Sequence, residues 1–297
     1  MSLGLALKLA NATLFKGGGV LRFTEALPAN VTYSRTGAAT AFTVGGVVVP
    51  FAANAPPLTD RGLLLEPSAT NLLTYSQQFD NASWSKSGGA SVTADTVAAP
   101  DGTLTADTWN GSGGLISNEP AAAASTAYFA PIFFKAGTAT AFGVTIQNRP
   151  AFSQTAAVTV NPVTGATSGL AGNSPSATVV ALADGWFCLK LGGSTPSGAT
   201  TQVIVINGAN GTLSLWGAQL ATLDTSYIPT TSAAATRGLP AATVTVPPGR
   251  TIARATYGAS NTVVDITGLT PGSTFDLVTG RAWLGLGNEL KTLEWRP

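Results

Sequence analysis

The chain contains no histidine, a single cysteine and, across 297 residues, only 15 basic and 14 acidic side chains. Without histidine there is no Ser-His-Asp or Cys-His nucleophile, no His-ligated zinc and no ordinary general base near neutral pH. One cysteine cannot form an intrachain disulfide. Cys188 sits in the apolar run Trp186-Phe187-Cys188-Leu189 and reads as a buried structural residue rather than a reactive thiolate. Charged residues are 10% of the chain, far below the ~25% of an average soluble domain. They are scattered singly, so no basic stripe exists to bind nucleic acid through phosphate or to anchor the chain on a membrane surface.

What fills the space is Thr, Ser, Ala and Gly, which hold the places that Glu, Lys and Arg hold in helical proteins. Such a neutral, hydroxyl-rich surface is poor at salt-bridged helices and suits exposed β-faces, or faces covered by identical neighbours. Short alternating runs recur along the chain: Ala141–Ile146, Ala157–Val160 and Gln202–Ile206. Turn chemistry lies between them, at Asn161-Pro162-Val163-Thr164-Gly165, Asn207-Gly208 and Ala209-Asn210-Gly211. Strands of about six residues at this spacing predict an all-β antiparallel sandwich or jelly roll. Ala41–Val44 and Val47–Val49 predict a hairpin joined by a two-residue turn at Gly45-Gly46. The uncharged stretch Thr36–Thr59 around it is long enough to span a bilayer, but its Gly, Thr, Asn and Pro content argues for a soluble hairpin and against membrane insertion. Ser68–Gln78 fits either a short helix capped by Ser68 or an extended segment. Met1–Leu14 lacks signal-peptide order and reads as mature chain, and Lys16-Gly17-Gly18-Gly19 reads as a turn beside an anchoring segment, not a phosphate loop. The domains expected are an N-terminal β region (1–62), a sandwich (63–230), a Pro/Thr/Ser/Ala-rich linker (231–242) and a small C-terminal β module (243–297).

Several segments, in order, carry a resemblance. They are Tyr33-Ser34-Arg35-Thr36-Gly37-Ala38-Ala39-Thr40, then Gly62-Leu63-Leu64-Leu65-Glu66-Pro67-Ser68-Ala69-Thr70-Asn71-Leu72-Leu73. Gln78–Lys86, Ala99–Asp107, Phe133–Gly137, Asp184–Phe187, Leu215–Leu220 and Ser226–Thr230 follow. Together they resemble a group of phage tail-fibre and head-spike proteins, also found in gene transfer agents, over about residues 30–240; the ending Leu290–Pro297 resembles the same group. The resemblance implies a jelly roll similar to carbohydrate-binding modules, carried on a virion of a phage or phage-like particle. It implies a homotrimer or higher oligomer, an N-terminal region that docks onto other virion proteins, and contact with host surface polysaccharide. The chain departs from tail fibres in lacking a long coiled or repetitive shaft.

Sugar binding favours aromatic rings that stack on pyranose faces, with a few polar groups fixing orientation. Trp84, Trp109, Tyr128 and Phe129 are the candidate rings, with Asp107, Asn110 and Arg149 as polar partners. The bland alternative places the tryptophans in the core, above all Trp186 and Trp216 inside alternating runs, and Arg149 in a solvated loop. No catalytic residues are assigned. Paired carboxylates are the one enzyme chemistry this composition leaves open, as in a capsule- or wall-degrading hydrolase, but no local Asp/Glu constellation stands out. No cofactor is required, although analogy with carbohydrate-binding jelly rolls admits calcium on loop carboxylates such as Asp101 and Asp107. A subunit of baseplate or head decoration without ligand is the remaining reading.

Overall fold

The computed structural model describes residues 19–111 and 113–297. The readings of Met1–Leu14 as mature chain and of the Lys16-Gly17-Gly18 turn lie outside them. Strand makes up 48% and helix 1%, in several antiparallel sheets, so the chain is all-β as its composition implied.

Two six-stranded sheets form the sandwich. One sets side by side Ser176–Ala181, Trp186–Ser194, Ala127–Ala136, Thr212–Ala218, Leu104–Asn110 and Ser91–Ala98. The other sets Thr167–Gly172, Gln154–Val160, Phe142–Arg149, Thr201–Asn207, Gly114–Ile116 and Ser85–Ser87. The chain crosses repeatedly from one to the other, as a jelly roll does. Alternation drives the packing: Phe142, Val144 and Ile146 of one sheet face Ile132, Phe134, Leu189, Leu191 and Leu215 of its partner in one buried cluster. Phe134 and Phe142 meet edge to face, with ring centroids 5.0 Å apart. Each such side chain contributes about 1.5–3 kcal/mol by leaving water.

The outer faces of the two sheets differ. The first turns Phe133, Trp186, Cys188 and Trp216 away from the sandwich, where Phe42, Val48 and Tyr227 bury them; we call it the covered sheet. The cover is a hairpin of Ala39–Phe42 and Val48–Phe51. Its loop spans Thr43–Val47, closed by Thr43 N donating to Val47 O at 2.9 Å, and is longer than the glycine pair alone. Gly46 has φ +79°, and a Cβ there would lie 2.9 Å from the backbone of Leu182 and Ala183, so only glycine lets the tip rest on the sandwich. The second sheet is the open sheet.

A second core joins the two ends of the described chain. Phe23, Val31, Leu63 and Leu65 pack with Ala242, Val244, Phe275, Trp283, Leu293 and Trp295. Val20–Arg22 pairs with Leu290–Arg296, and Val31–Ser34 pairs with Ala241–Thr245. The N-terminal region and the C-terminal module, read from sequence as separate, thus form one β unit with the sandwich set between its halves. A few short strands bury too little apolar surface to stand alone, which is the physical reason to combine them.

The segment read as a linker is built into this unit. Ala235–Arg237 pairs with Ala69–Asn71, which also makes the start of Ser68–Gln78 extended. Arg237 is 1% exposed and lies 2.8 Å from the Glu66 carboxylate. Its guanidinium also donates to Ser226 O and Pro67 O, at 3.3 and 3.2 Å. Beside it Arg35 donates to the Tyr33 hydroxyl and to Ala52 O, both at 3.0 Å. The ion pair and these hydrogen bonds offset the cost of burying the charges, although Arg237 Nε has no hydrogen-bond partner. The motif residues Arg35, Glu66, Ser226 and Arg237 therefore build the joint between the two cores.

Candidate functional site

Most residues selected from the sequence as sugar-binding lie in the sandwich core. Trp84 is 1% exposed, packs 4.6 Å from Phe79 and donates its indole N–H to Tyr75 O at 3.1 Å. Trp109 is fully buried, and the Tyr128 hydroxyl accepts a hydrogen bond from Ala123 N at 2.9 Å. None of the three offers a ring face to a ligand, so all three are corrected to core residues. The polar flanks of Trp84 and Trp109 misled the sequence reading: each ring points inward from a strand or turn whose neighbours point out. Phe129 is half-buried with its ring over Gly192, while Asn110 is exposed at the end of its strand.

Asp107 is corrected as well. It faces inward beside Trp109, and its carboxylate accepts the backbone N–H groups of Phe79, Asp80 and Asp95 at 2.7, 3.4 and 3.1 Å. Burial pushes its pKa up to about 6 despite those donors. Its work is to tie the 79–80 turn and the bend at Asp95 to the sheet. Asp101 accepts from Thr103 N and Thr103 Oγ1 at 3.0 and 2.6 Å. Asp107 thus meets protein donors through both oxygens, and Asp101 through Oδ1. Among the described residues no three His, Cys, Asp or Glu side chains group as a metal site.

Arg149 reaches the outer face of the open sheet and is partly exposed there. It ends the strand Phe142–Arg149, whose outward residues Thr145, Gln147 and Arg149 oppose Val205, Val203 and Thr201 on the neighbouring strand. Glu119 accepts a hydrogen bond from the Thr201 hydroxyl at the edge of this face. The result is a flat field of hydroxyl, amide and small apolar groups with one cation and one anion.

The turn after Arg149 supplies the ring that sequence reasoning missed. Phe152 is 60% exposed, the only aromatic side chain among the described residues with more than a partial exposure. The Arg149 guanidinium lies 4.1 Å from the centroid of its ring. Arg149 Nε is buried with no hydrogen-bond partner, so the ring is its main company. Phe152 has φ +55°, a left-handed conformation that costs a bulky residue about 1–2 kcal/mol.

A buried amide ladder holds the turn in that state. Asn148 N donates to Ser153 O at 2.8 Å and its side-chain amide to Ser153 Oγ at 3.3 Å. Beneath, Gln202 donates to Asn148 Oδ1 at 3.3 Å, and Thr155 Oγ1 donates to Gln202 Oε1 at 2.8 Å. A strained, exposed aromatic on a buried polar support is pre-organised for contact. The signal in the sequence was a lone Phe in a Pro-Ala-Phe-Ser turn between two alternating runs, next to an Arg. Comparison with known proteins gives no matching family model and no matching curated sequence.

Proposed function

We propose that the chain is a structural subunit of a phage-like particle that adheres to host surface glycan through the open sheet, with Phe152 as the stacking ring and Arg149 and Gln147 as its polar partners. The particle assignment rests on the sequence resemblance. The adhesive assignment is carried by one observation: among the described residues Phe152 is the one aromatic that is mostly exposed, in a strained turn fixed from below. A ring with Arg149 on one side keeps its other face free for a pyranose. Such a site is shallow and weak. Symmetric copies on one particle would raise its avidity by effective concentration.

Binding of the intact protein to immobilised host polysaccharide tests this. Phe152→Ala is expected to abolish retention while leaving the fold unchanged, since the ring is 60% exposed. Full retention of the variant would overturn the adhesive role of this turn.

A further inference from the structure

We infer that a cleft in the N-/C-terminal unit, walled by Asp60, Arg61, Glu289 and Lys291, binds a single neutral sugar ring. It extends the adhesive reading to a second site and does not depend on the Phe152 turn.

The cleft measures about 380 Å³ and is completed by Val44 and Ala259. That is the lower end of the ~300–1,000 Å³ range of small-molecule sites. Its construction is specific. Gly62 has φ +125°, and a Cβ there would fall 2.5 Å from Leu290 O, so the turn Asp60-Arg61 can lie against residues 289–290 only with glycine behind it. This brings Arg61 within 3.3 Å of Glu289. The Glu289 side chain is 3% exposed, yet Arg61 directs its N–H at Oε2, 3.5 Å away. Arg61 Nη2 also lies 3.3 Å from Oε1, an ion-pair contact outside hydrogen-bond alignment. The pair sets a carboxylate and a guanidinium side by side at the cleft wall.

The remaining groups define the ligand. Asp60 Oδ1 accepts from Val44 N at 2.7 Å, leaving Oδ2 to accept a second hydrogen bond. Lys291 Nζ donates to Asn261 Oδ1 at 2.7 Å, leaving two N–H bonds to donate. Two acids and two bases cancel, so the walls favour neither a phosphate nor a cation. They contain no aromatic ring. Interleaved charged acceptors and donors match the vicinal hydroxyls of a pyranose, each of which donates to a carboxylate and accepts from an ammonium or guanidinium.

Ligand-observed saturation-transfer NMR on the intact protein, with methyl glucoside, galactoside, mannoside and N-acetylglucosaminide as probes, tests the site. At least one neutral glycoside is expected to bind the wild type. Glu289→Gln and Lys291→Ala are each expected to weaken it about tenfold or more. Ala259→Trp fills the exposed mouth of the cleft while leaving all four charges in place, so its expected loss of binding cannot come from a broken ion pair. Phe152→Ala is expected to bind the glycoside as wild type does. The inference is overturned if none of the four glycosides binds, or if Glu289→Gln and Ala259→Trp bind as wild type. Loss in Phe152→Ala alone would also overturn it, and would assign the binding to the open sheet.

Discussion

The two sheets of the sandwich have the same strand number and the same inward alternation, but their outer faces have opposite fates. The covered sheet points Phe133, Trp186 and Trp216 outward, and the chain supplies Phe42, Val48 and Tyr227 to bury them. The open sheet points Thr145, Gln147, Arg149, Thr201 and Val205 outward, and all five stay partly exposed. In a chain with so few charges, aromatic residues on an outward face call for a lid, while small hydroxyl and amide residues can meet water or a ligand. Phe152 is the exception to that division, and its exposure is what makes it informative.

The division can be broken from either side. Trp216→Ala should have the largest effect, because the ring contacts Phe133 and Tyr227 at centroid distances of 5.1 and 5.3 Å. A loss of about 3–5 kcal/mol in urea unfolding is expected, and a loss below 1 would mean that the cover is dispensable. Glu66→Gln should come next, at about 3 kcal/mol, because it leaves the Arg237 guanidinium buried without its counter-charge. Ser226, next to the Tyr227 that seals the covered face, bonds to both partners, so tryptophan fluorescence should redden with the same mutation.

Asp107 gives a pH test inside the sandwich. Its pKa is about 6 in the folded chain against an ordinary 3.8, so folding favours the protonated form. Its contribution is fully present below about pH 4 and is lost as pH rises through about 6, by roughly 2–3 kcal/mol. The urea midpoint of wild type minus that of Asp107→Asn should therefore fall across this window. A flat difference would show that the three N–H donors, not burial, govern the carboxyl. The smallest effect is expected on the open side. Phe152→Gly removes a left-handed bulky residue and one exposed cation–π contact, and should change stability by less than about 1 kcal/mol, in the stabilising direction. A larger loss, measured by the same urea unfolding, would mean that the ring belongs to the core.

Local pattern carried the strands well. Ala141–Ile146 and Gln202–Ile206 lie in adjacent paired strands, and the hairpin over residues 39–51 is where the β-branched run placed it. What local pattern could not carry is partnership. The Thr32 and Thr243 hydroxyls meet at 2.7 Å across 211 residues of sequence, and no window around either residue contains that information. The same blindness affected the site. Trp84 and Trp109 looked exposed because their neighbours are polar, yet in a strand the neighbours of an inward residue are outward by geometry. Arg149 was legible as a polar residue at a strand end. Phe152 was not, because its significance lies in a positive φ and a buried amide support that only the fold creates.

The pairing of Val20–Arg22 with Thr292–Glu294 also bears on biosynthesis. As the chain emerges from the ribosome, the sandwich strands between residues 85 and 218 can find all their partners early. The strands near residues 20–34 must wait, with Phe23 and Val31 uncovered, until their partners at residues 241–245 and 292–294 have emerged. Long-range pairings of this kind slow folding and expose apolar surface on the way. The hydroxyl-rich, weakly charged composition offers little electrostatic repulsion during that wait. The sandwich is therefore completed first, and the unit that joins residues 20–34 to residues 241–296 closes after it.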